Sequence, residues 1–297
     1  MGVSDDLPVK KLLLQLDSSP HPSVFDRVVA FDAGADEVMS YGAVTVEAVR
    51  DLVHGAIFTR GPKQLHSTAI FVGGSDMAQG ERLLGAVKKA FFGPLRVSVM
   101  LDSNGSNTTA VAAVAKMRKA AGSLDGRSAV VTAASGPVGL RAAGLLAKAG
   151  AHVAVTSRRA GDGKLAETIR QRFGGSIREV TMADNSGAAQ ALEGAEMFLN
   201  AGPAGVCLVP RSAWVGRSGL RVAADVNAVP PLGVEGIDVT DDGSEREGVT
   251  TFGALGIGNL KMKIHKACIE RLFERNDLVL DAETIAEVAD GLIAPQS

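Results

Sequence analysis

Three observations in the sequence predict an α/β fold with mostly parallel sheets, divided over two domains. Short runs rich in Leu, Val and Ile alternate with segments of helical periodicity along most of the chain, which implies βαβ crossovers. A polar stretch, LDSNGSNTT at 101–109, interrupts that alternation. Beyond it, an apolar strand runs straight into ASGPVG and a helix of small residues, the layout in which a backbone loop and a helix N-terminus face a phosphate.

The 297 residues suffice to bury a large apolar core without disulfide or metal staples. With 31 Lys+Arg against 33 Asp+Glu, the formal charge of -2 argues against bulk attraction to nucleic acid or to an anionic membrane. No apolar run approaches the roughly 18 residues of a membrane span, and residues 1–11 hold no signal-like apolar stretch. Cys207 and Cys268 stand far apart and outside any CxxC spacing, so a reducing, cytoplasmic setting is expected. Glycine makes up about 12% of the chain against the usual ~7%, without a collagen-like period, which directs attention to particular loops.

In the first domain, Lys11–Leu16 reads as a buried strand. Ser23–Ala33 then places Val24, Phe25, Val28, Val29 and Phe31 at helical spacing and stops at Gly34. Glu37–Ser40 with Thr45–His54, and His66–Val72 with Asp76–Phe92, repeat the unit, and Leu95–Leu101 adds a further strand. The polar break after it sets the first domain at residues 1–105. The second, 106–277, opens on the Ala-rich helix Ala110–Ala121. It continues as strand Ser128–Ala133, helix Gly136–Ala149, strand His152–Thr156, helix Gly163–Phe173, strand Ile177–Met182, helix Ser186–Leu192, and strands Met197–Asn200 and Leu220–Asp225. Ile264–Phe273 and Asp281–Leu292 read as helices, and the segment 278–297 is expected to pack back on the first domain.

Ala134-Ser135-Gly136-Pro137-Val138-Gly139 is the dinucleotide fingerprint with Ala where its first Gly normally stands. Gly136 would let the backbone approach a pyrophosphate, Gly139 would let helix and strand pack closely, and the helix N-terminus supplies N–H donors and a positive dipole. The second domain is therefore expected to be a doubly wound, Rossmann-type sheet. Its second strand ends at Thr156-Ser157-Arg158-Arg159, about 20 residues on, where an NAD enzyme carries Asp or Glu for the ribose 2′-hydroxyl. A hydroxyl followed by two guanidinium groups suits a 2′-phosphate instead, which favours NADP over NAD; the bland alternative is two solvated surface arginines. Asn200-Ala201-Gly202-Pro203 and Asp225-Val226-Asn227 end later strands, where ligands of such sheets sit. The glycines of 253–258 precede a helix carrying Lys261 and Lys263, and serve either close approach to a nicotinamide or tight packing.

Several chemistries are missing. The one tyrosine, Tyr41, is followed four residues later by Thr45 rather than Lys, so the Tyr-x-x-x-Lys pair of short-chain dehydrogenases is absent. The five histidines show no HExxH or paired-ligand spacing, no metal is expected, and there is no GxSxG elbow. Hydride transfer that needs neither metal nor strong acid–base help becomes attractive by elimination.

LDSNGSNTTA, SGPVG, NAGPAG, DVNAVPPLGVEGIDV and FGALGIGNLKMK, with KKLLLQLD, PSVFD and FVGGSDMAQGER before them, extend over nearly the whole chain. On these motifs the sequence resembles the bacterial NAD(P)-dependent methylene-tetrahydromethanopterin dehydrogenases, most of all the NADP-dependent branch that also accepts methylene-tetrahydrofolate. The resemblance implies an N-terminal pterin-binding domain, an NADP-binding domain and an active-site cleft between them. It also implies a cytoplasmic homo-oligomer, trimer or hexamer, working in one-carbon oxidation. It points to Lys261, the first lysine of GxxLKxK, as the candidate active-site side chain. Asp17 and Asp26 lie in matching stretches. Asp102, Ser103, Asn104, Asn107 and Thr108 offer neutral and anionic groups for a pterin edge, although Ser106 or Asn107 could equally cap the helix that follows. Two departures stand out: Ala134 in the fingerprint, and Ser157-Arg158-Arg159 where the NADP branch has Gly-Arg-Lys.

The implied reaction agrees with the missing chemistry. A methylene carbon held between two nitrogens can lose hydride to give a methenyl cation that both nitrogens stabilise, so positioning and electrostatics suffice without a general base. A cationic Lys261 beside that cation would oppose the step, which assigns it to orienting the pterin or to a partly deprotonated state. Two other readings remain at this point. One is an NADP-dependent dehydrogenase of a small hydroxy substrate, of the shikimate type, which would need a Lys/Asp pair in the first domain. The other is a non-catalytic dinucleotide sensor, which would need a basic DNA-binding module.

Overall fold

The computed structural model describes residues 9–158 and 162–293. In chain order the first elements are β1 (Leu12–Asp17), α1 (Val24–Asp32), β2 (Glu37–Tyr41), α2 (Val46–Phe58), β3 (Thr68–Gly73), α3 (Met77–Ala90) and β4 (Ser98–Leu101). They continue with α4 (Ser106–Ala121), β5 (Ser128–Thr132), α5 (Pro137–Lys148), β6 (His152–Ser157), α6 (Lys164–Phe173), β7 (Ser176–Thr181), α7 (Ala188–Ala191), β8 (Met197–Asn200) and α8 (Arg211–Trp214). The last are β9 (Val222–Asp225), β10 (Asp242–Arg246), β11 (Val249–Phe252), α9 (Ala254–Arg271), β12 (Val279–Leu280) and α10 (Ala282–Ile293).

The chain divides into two units, one formed by residues up to Asn107 with Lys263–Val288, the other by Thr108–Met262 with the segment from Ala289. The first unit carries a parallel five-stranded sheet in the order β12-β4-β3-β1-β2. β1, β3 and β4 are buried along almost their whole length, as strands covered on both faces must be. Leu14, Leu16, Ile70, Val72, Val99 and Leu101 meet Val49, Val53, Ile57, Leu83 and Val87 in its core. Ser23 caps α1 by accepting from the Asp26 N–H at 3.2 Å, and Asp76 caps α3 by accepting from the Gln79 N–H at 3.0 Å.

The second unit carries a seven-stranded sheet in the order β10-β11-β9-β8-β5-β6-β7, parallel except for the β10–β11 pair. The chain steps outward from β5 to β6 and β7, then reverses to β8 and β9 on its other side. Ligands of doubly wound sheets sit at such a reversal, outside the carboxyl ends of the strands. Val130, Phe198 and Ala223 from the sheet pack with Leu192 and Trp214 in the core, and the Trp214 indole N–H donates to the Glu235 carbonyl at 2.9 Å.

Four local expectations change. The polar stretch 101–109 is a 3₁₀ turn, Ser103–Gly105, leading into α4, which begins at Ser106 rather than Ala110. The 253–258 glycines lie at the start of α9, a single helix that includes most of the expected segment 264–273. β10 and β11 form a hairpin that the polar sequence DGSEREGV conceals. Finally, the first unit regains the chain at Lys263 rather than at 278. The second half of α9 explains this: it buries Ile264, His265, Cys268 and Ile269, stacks His265 on Phe71, and pairs Lys266 with Asp32 at 2.8 Å. β12 then extends the sheet beside β4. Among the described residues no helix is long and apolar enough to cross a membrane.

Candidate active site

β5 ends at Thr132, and the loop after it turns on Ala133, whose φ of 51° is left-handed. The Gly136 N–H closes this turn on the Ala133 carbonyl at 3.0 Å, and the Thr156 hydroxyl at the end of β6 accepts from the Ala133 N–H at 3.1 Å. The strained position is thus Ala133, while Ala134, the residue replacing the first fingerprint glycine, is fully buried. A Cβ on Gly139 would lie 2.8 Å from Ala134 Cα and 3.0 Å from the Ala133 oxygen, so only glycine lets α5 come this close to the loop. A Cβ on Gly136 would meet only the Ala133 oxygen, at 3.4 Å, which leaves that face open to an approaching group. α5 starts at Pro137 with Gly136 as its cap. Pro137 has no N–H, so the first turn offers the N–H groups of Val138 and Gly139. Ser135 is exposed and Val138 half-buried. This geometry fits a dinucleotide pyrophosphate: open backbone, free donors and a helix N-terminus converge on one spot.

β6 ends at Ser157, with Arg158 exposed beside it; Arg159 lies outside the described residues. The structure adds a group that the strand-end sequence did not reveal. Glu179, on the neighbouring β7 and in register with Val155, accepts the Ser157 hydroxyl hydrogen bond at 2.8 Å through its Oε1. A carboxylate does stand at this corner, supplied by a different strand.

Thr132, Asn200 and Asp225 lie side by side on β5, β8 and β9 through the pairings Thr132–Asn200 and Asn200–Asp225. The Thr132 hydroxyl donates to Asn200 Oδ1 at 2.6 Å, and Asn200 Nδ2 donates to Asp225 Oδ1 at 2.8 Å. Asp225 also accepts from the N–H groups of Asn227 and Val234, each at 3.0 Å. Burial pushes its carboxyl above the usual carboxylate range, and these hydrogen bonds pull against it. Asn227 Oδ1 accepts from the Val229 N–H at 2.9 Å. The row fixes the turns at 201–203 and 226–234, with Ala201 and Gly202 half-buried and Pro203 exposed at its rim. A Cβ on Gly233 would run into the Asn200 amide.

In the first unit, Asp17 closes the turn after β1, accepting from the Ser19 N–H at 2.7 Å and the Ser23 N–H at 3.1 Å. Asp102 follows β4 and caps α4, accepting from the Asn107 N–H at 2.9 Å, while Asn107 Nδ2 donates to the Leu101 carbonyl at 2.5 Å. The Ser103 hydroxyl donates to the Gly73 carbonyl at 2.7 Å. Asp102, rather than Ser106 or Asn107, is therefore the cap. Asn104 is exposed in the left-handed region at φ 55°, Asp26 is half-buried in the first turn of α1, and Thr108 is buried in α4. Asp17, Asp102, Ser103, Asn104 and Asn107 thus gather at the carboxyl ends of the parallel strands β1 and β4. Lys261 is half-buried in α9, in the part belonging to the second unit. Tight packing accounts for two of the glycines before it: a Cβ on Gly253 or Gly256 would strike the carbonyls of Asp238 or Asp241.

A family model described as methylene-tetrahydromethanopterin dehydrogenase, N-terminal, matches residues 24–104. The bifunctional protein MdtA of Methylorubrum extorquens is 52% identical over 282 residues, covering 94% of this chain and 98% of its own length. The NAD(P)-dependent methylenetetrahydromethanopterin dehydrogenase of the same organism is 32% identical over 285 residues, covering 92% of this chain and 95% of its own. The chain belongs to the methylenetetrahydromethanopterin dehydrogenase family.

Among solved structures, the shikimate 5-dehydrogenase from Listeria monocytogenes in complex with shikimate and NAD superposes with a TM-score of 0.55 and 15% identity, over 96% of this chain and 99% of that one. The ornithine carbamoyltransferase from Pyrococcus furiosus does so at 0.56 and 15%, over 88% and 83%. At such identity the likeness is one of fold. In this member of the family, the described residues hold no group of three His, Cys, Asp or Glu placed to bind a metal ion. Arg141 also escaped the sequence reading; it is buried in α5 and donates to the Pro137 carbonyl at 3.0 Å. A lone arginine in a run of small residues was its one available signal.

Proposed function

We propose that this chain is an NADP-dependent dehydrogenase of methylene-tetrahydromethanopterin, or of methylene-tetrahydrofolate, that removes a hydride from the methylene carbon and leaves the methenyl form. The observation that carries the reading is the loop from Ala133 to Gly139 at the reversal of a doubly wound sheet, in a chain 52% identical to MdtA over 94% of its length. When bound, NADP supplies the hydride acceptor. The protein's part is binding and orientation. Ala134, Ser135, Gly136, Pro137, Val138 and Gly139 hold the pyrophosphate by backbone and helix N-terminus, Ser157 meets the adenosine ribose, and Arg158, with Arg159, meets its 2′-phosphate. Asn200, Asp225 and Asn227 act through the turns they brace, which set Ala201, Gly202 and Pro203 against the ligand. Their polar atoms are engaged with one another and with backbone.

The pterin is assigned to the strand ends of the first unit, with Asn104 the exposed group and Asp17, Asp26, Asp102, Ser103, Asn107 and Thr108 shaping the turns around it. Lys261 orients the substrate; it takes no proton from it, because the methenyl cation forms without loss of a proton. The protein works in the cytoplasm, in keeping with its two free cysteines. It assembles as a homo-oligomer through the outer face of α1, where Val24, Val28 and Phe31 are 75%, 52% and 42% exposed. Val28→Asp is expected to lower the mass measured by light scattering, and an unchanged mass would exclude that face.

The test is spectroscopic. Methenyl formation is followed with methylene-tetrahydromethanopterin and methylene-tetrahydrofolate, each with NADP and NAD. Turnover is expected with NADP, and no turnover in any combination would sink the reading.

A further inference from the structure

The corner at the end of β6 holds opposing features. Arg158 is exposed there and attracts a 2′-phosphate. Ser157 precedes it, and its hydroxyl has a single proton. That proton lies toward Glu179, 2.8 Å away, because a carboxylate oxygen accepts and does not donate. Ser157 Oγ can therefore meet a ligand only as an acceptor. A ribose 2′-hydroxyl can donate to it, whereas a 2′-phosphate presents oxygens to a lone pair with a carboxylate behind it. The second carboxylate oxygen, Glu179 Oε2, is buried and has no hydrogen-bond partner among the described residues, so none of them offsets the charge on that side through a hydrogen bond. The pairing is built into the sheet: Ser157 and Glu179 stand on adjacent parallel strands, with Val155 opposite Glu179 and Ser157 opposite Thr181.

We propose that Glu179 is a specificity-determining residue of the dinucleotide site. It fixes Ser157 as an acceptor for the ribose 2′-hydroxyl and sets negative charge beside the 2′-phosphate position, so that NAD remains a competent ligand and the preference for NADP is held down. The inference rests on the NADP reading of this site and deepens it: Arg158 and Glu179 pull the choice of cofactor in opposite directions.

Calorimetric titration of the full-length protein with adenosine 2′,5′-bisphosphate and with 5′-AMP reads the corner directly, without turnover. Glu179→Gln keeps an acceptor for the Ser157 proton and removes the charge, so the bisphosphate should tighten about threefold or more while AMP stays within about twofold. Glu179→Met also frees the Ser157 proton to donate, and should tighten the bisphosphate about tenfold and weaken AMP about threefold. Thermal unfolding checks that each variant is folded, and the near-isosteric Gln variant decides the matter if the Met variant is not. A bisphosphate-to-AMP affinity ratio unchanged within about twofold in a folded Gln variant, or shifted toward AMP, overturns the proposal alone. Failure of the parent protein to bind either compound overturns the dinucleotide site, and the proposal with it.

Discussion

Replacing Asp225 with Asn isolates the buried row that shapes the strand ends of the second unit. The carboxylate accepts from Asn200 Nδ2 at 2.8 Å and from the Asn227 and Val234 N–H groups, each at 3.0 Å, with its residue only 1% exposed. An Asn side chain keeps one acceptor oxygen, which can serve Asn200 and Asn227 as Oδ1 does now. Its NH2 then faces the Val234 N–H, donor against donor, and one buried donor without an acceptor costs roughly 1–3 kcal/mol. The pH dependence separates this loss from the charge. Burial holds the Asp225 pKa above its unfolded value. The folded parent therefore loses stability as pH climbs from the unfolded value, about 3.9, through the folded one. The Asn variant has no such loss, so the gap between the two proteins is widest at acid pH and narrows toward neutrality. The narrowing amounts to about 1.4 kcal/mol for every pH unit that separates the unfolded pKa from the folded one. Urea unfolding followed by fluorescence of Trp214, the single tryptophan, buried in the same unit, measures the gap at each pH. A gap that stays constant or widens with pH would refute the reasoning, because it would mean that the donors outweigh burial.

Three further outcomes are expected. Arg158→Ala should raise the NADP KM more than about tenfold while barely affecting NAD, since only the former has a 2′-phosphate for a guanidinium to hold; equal effects would reject that assignment. Ala133→Gly should be neutral or stabilising by up to ~1 kcal/mol in the same unfolding assay, because relief of the left-handed strain outweighs the added freedom of the unfolded chain; a loss of more than ~1 kcal/mol would show that the methyl group packs. Burial pushes both thiols up, Cys268 far more than the half-buried Cys207. A thiol reagent at a pH of about 8 should thus modify Cys207 slowly and Cys268 only after denaturation, and prompt reaction of Cys268 in the native protein would contradict its burial.

The parts of the fold that were legible in the sequence are those where one segment announces itself. β1, β3 and β4 are apolar runs buried on both faces, and the fingerprint after β5 joins a strand, a glycine turn and a helix within a dozen or so residues. What could not be read depends on register between distant segments. Glu179 reaches Ser157 across 22 positions, and Thr132, Asn200 and Asp225 meet only because three strands align. The β10–β11 hairpin escaped because its outer strand, on a sheet edge, is nearly all polar. Ala133 carries the sharp turn after β5 in the left-handed region without the glycine that would have marked it.

The first unit is assembled from two separate stretches of the chain, one before Thr108 and one from Lys263 to Val288, and that fixes an order of events during synthesis. Until residue 279 has been made, β4 has no neighbour on its outer side, and until residue 265 is made Phe71 lacks the His265 ring that stacks on it. By then everything from Thr108 to Met262 already exists. The second unit can therefore complete its sheet while the first still shows an open strand edge, reversing the usual N-terminal-first sequence. On the ribosome, the edge of β4 stands open to mispairing until then, and the two residues of β12 are what cover it.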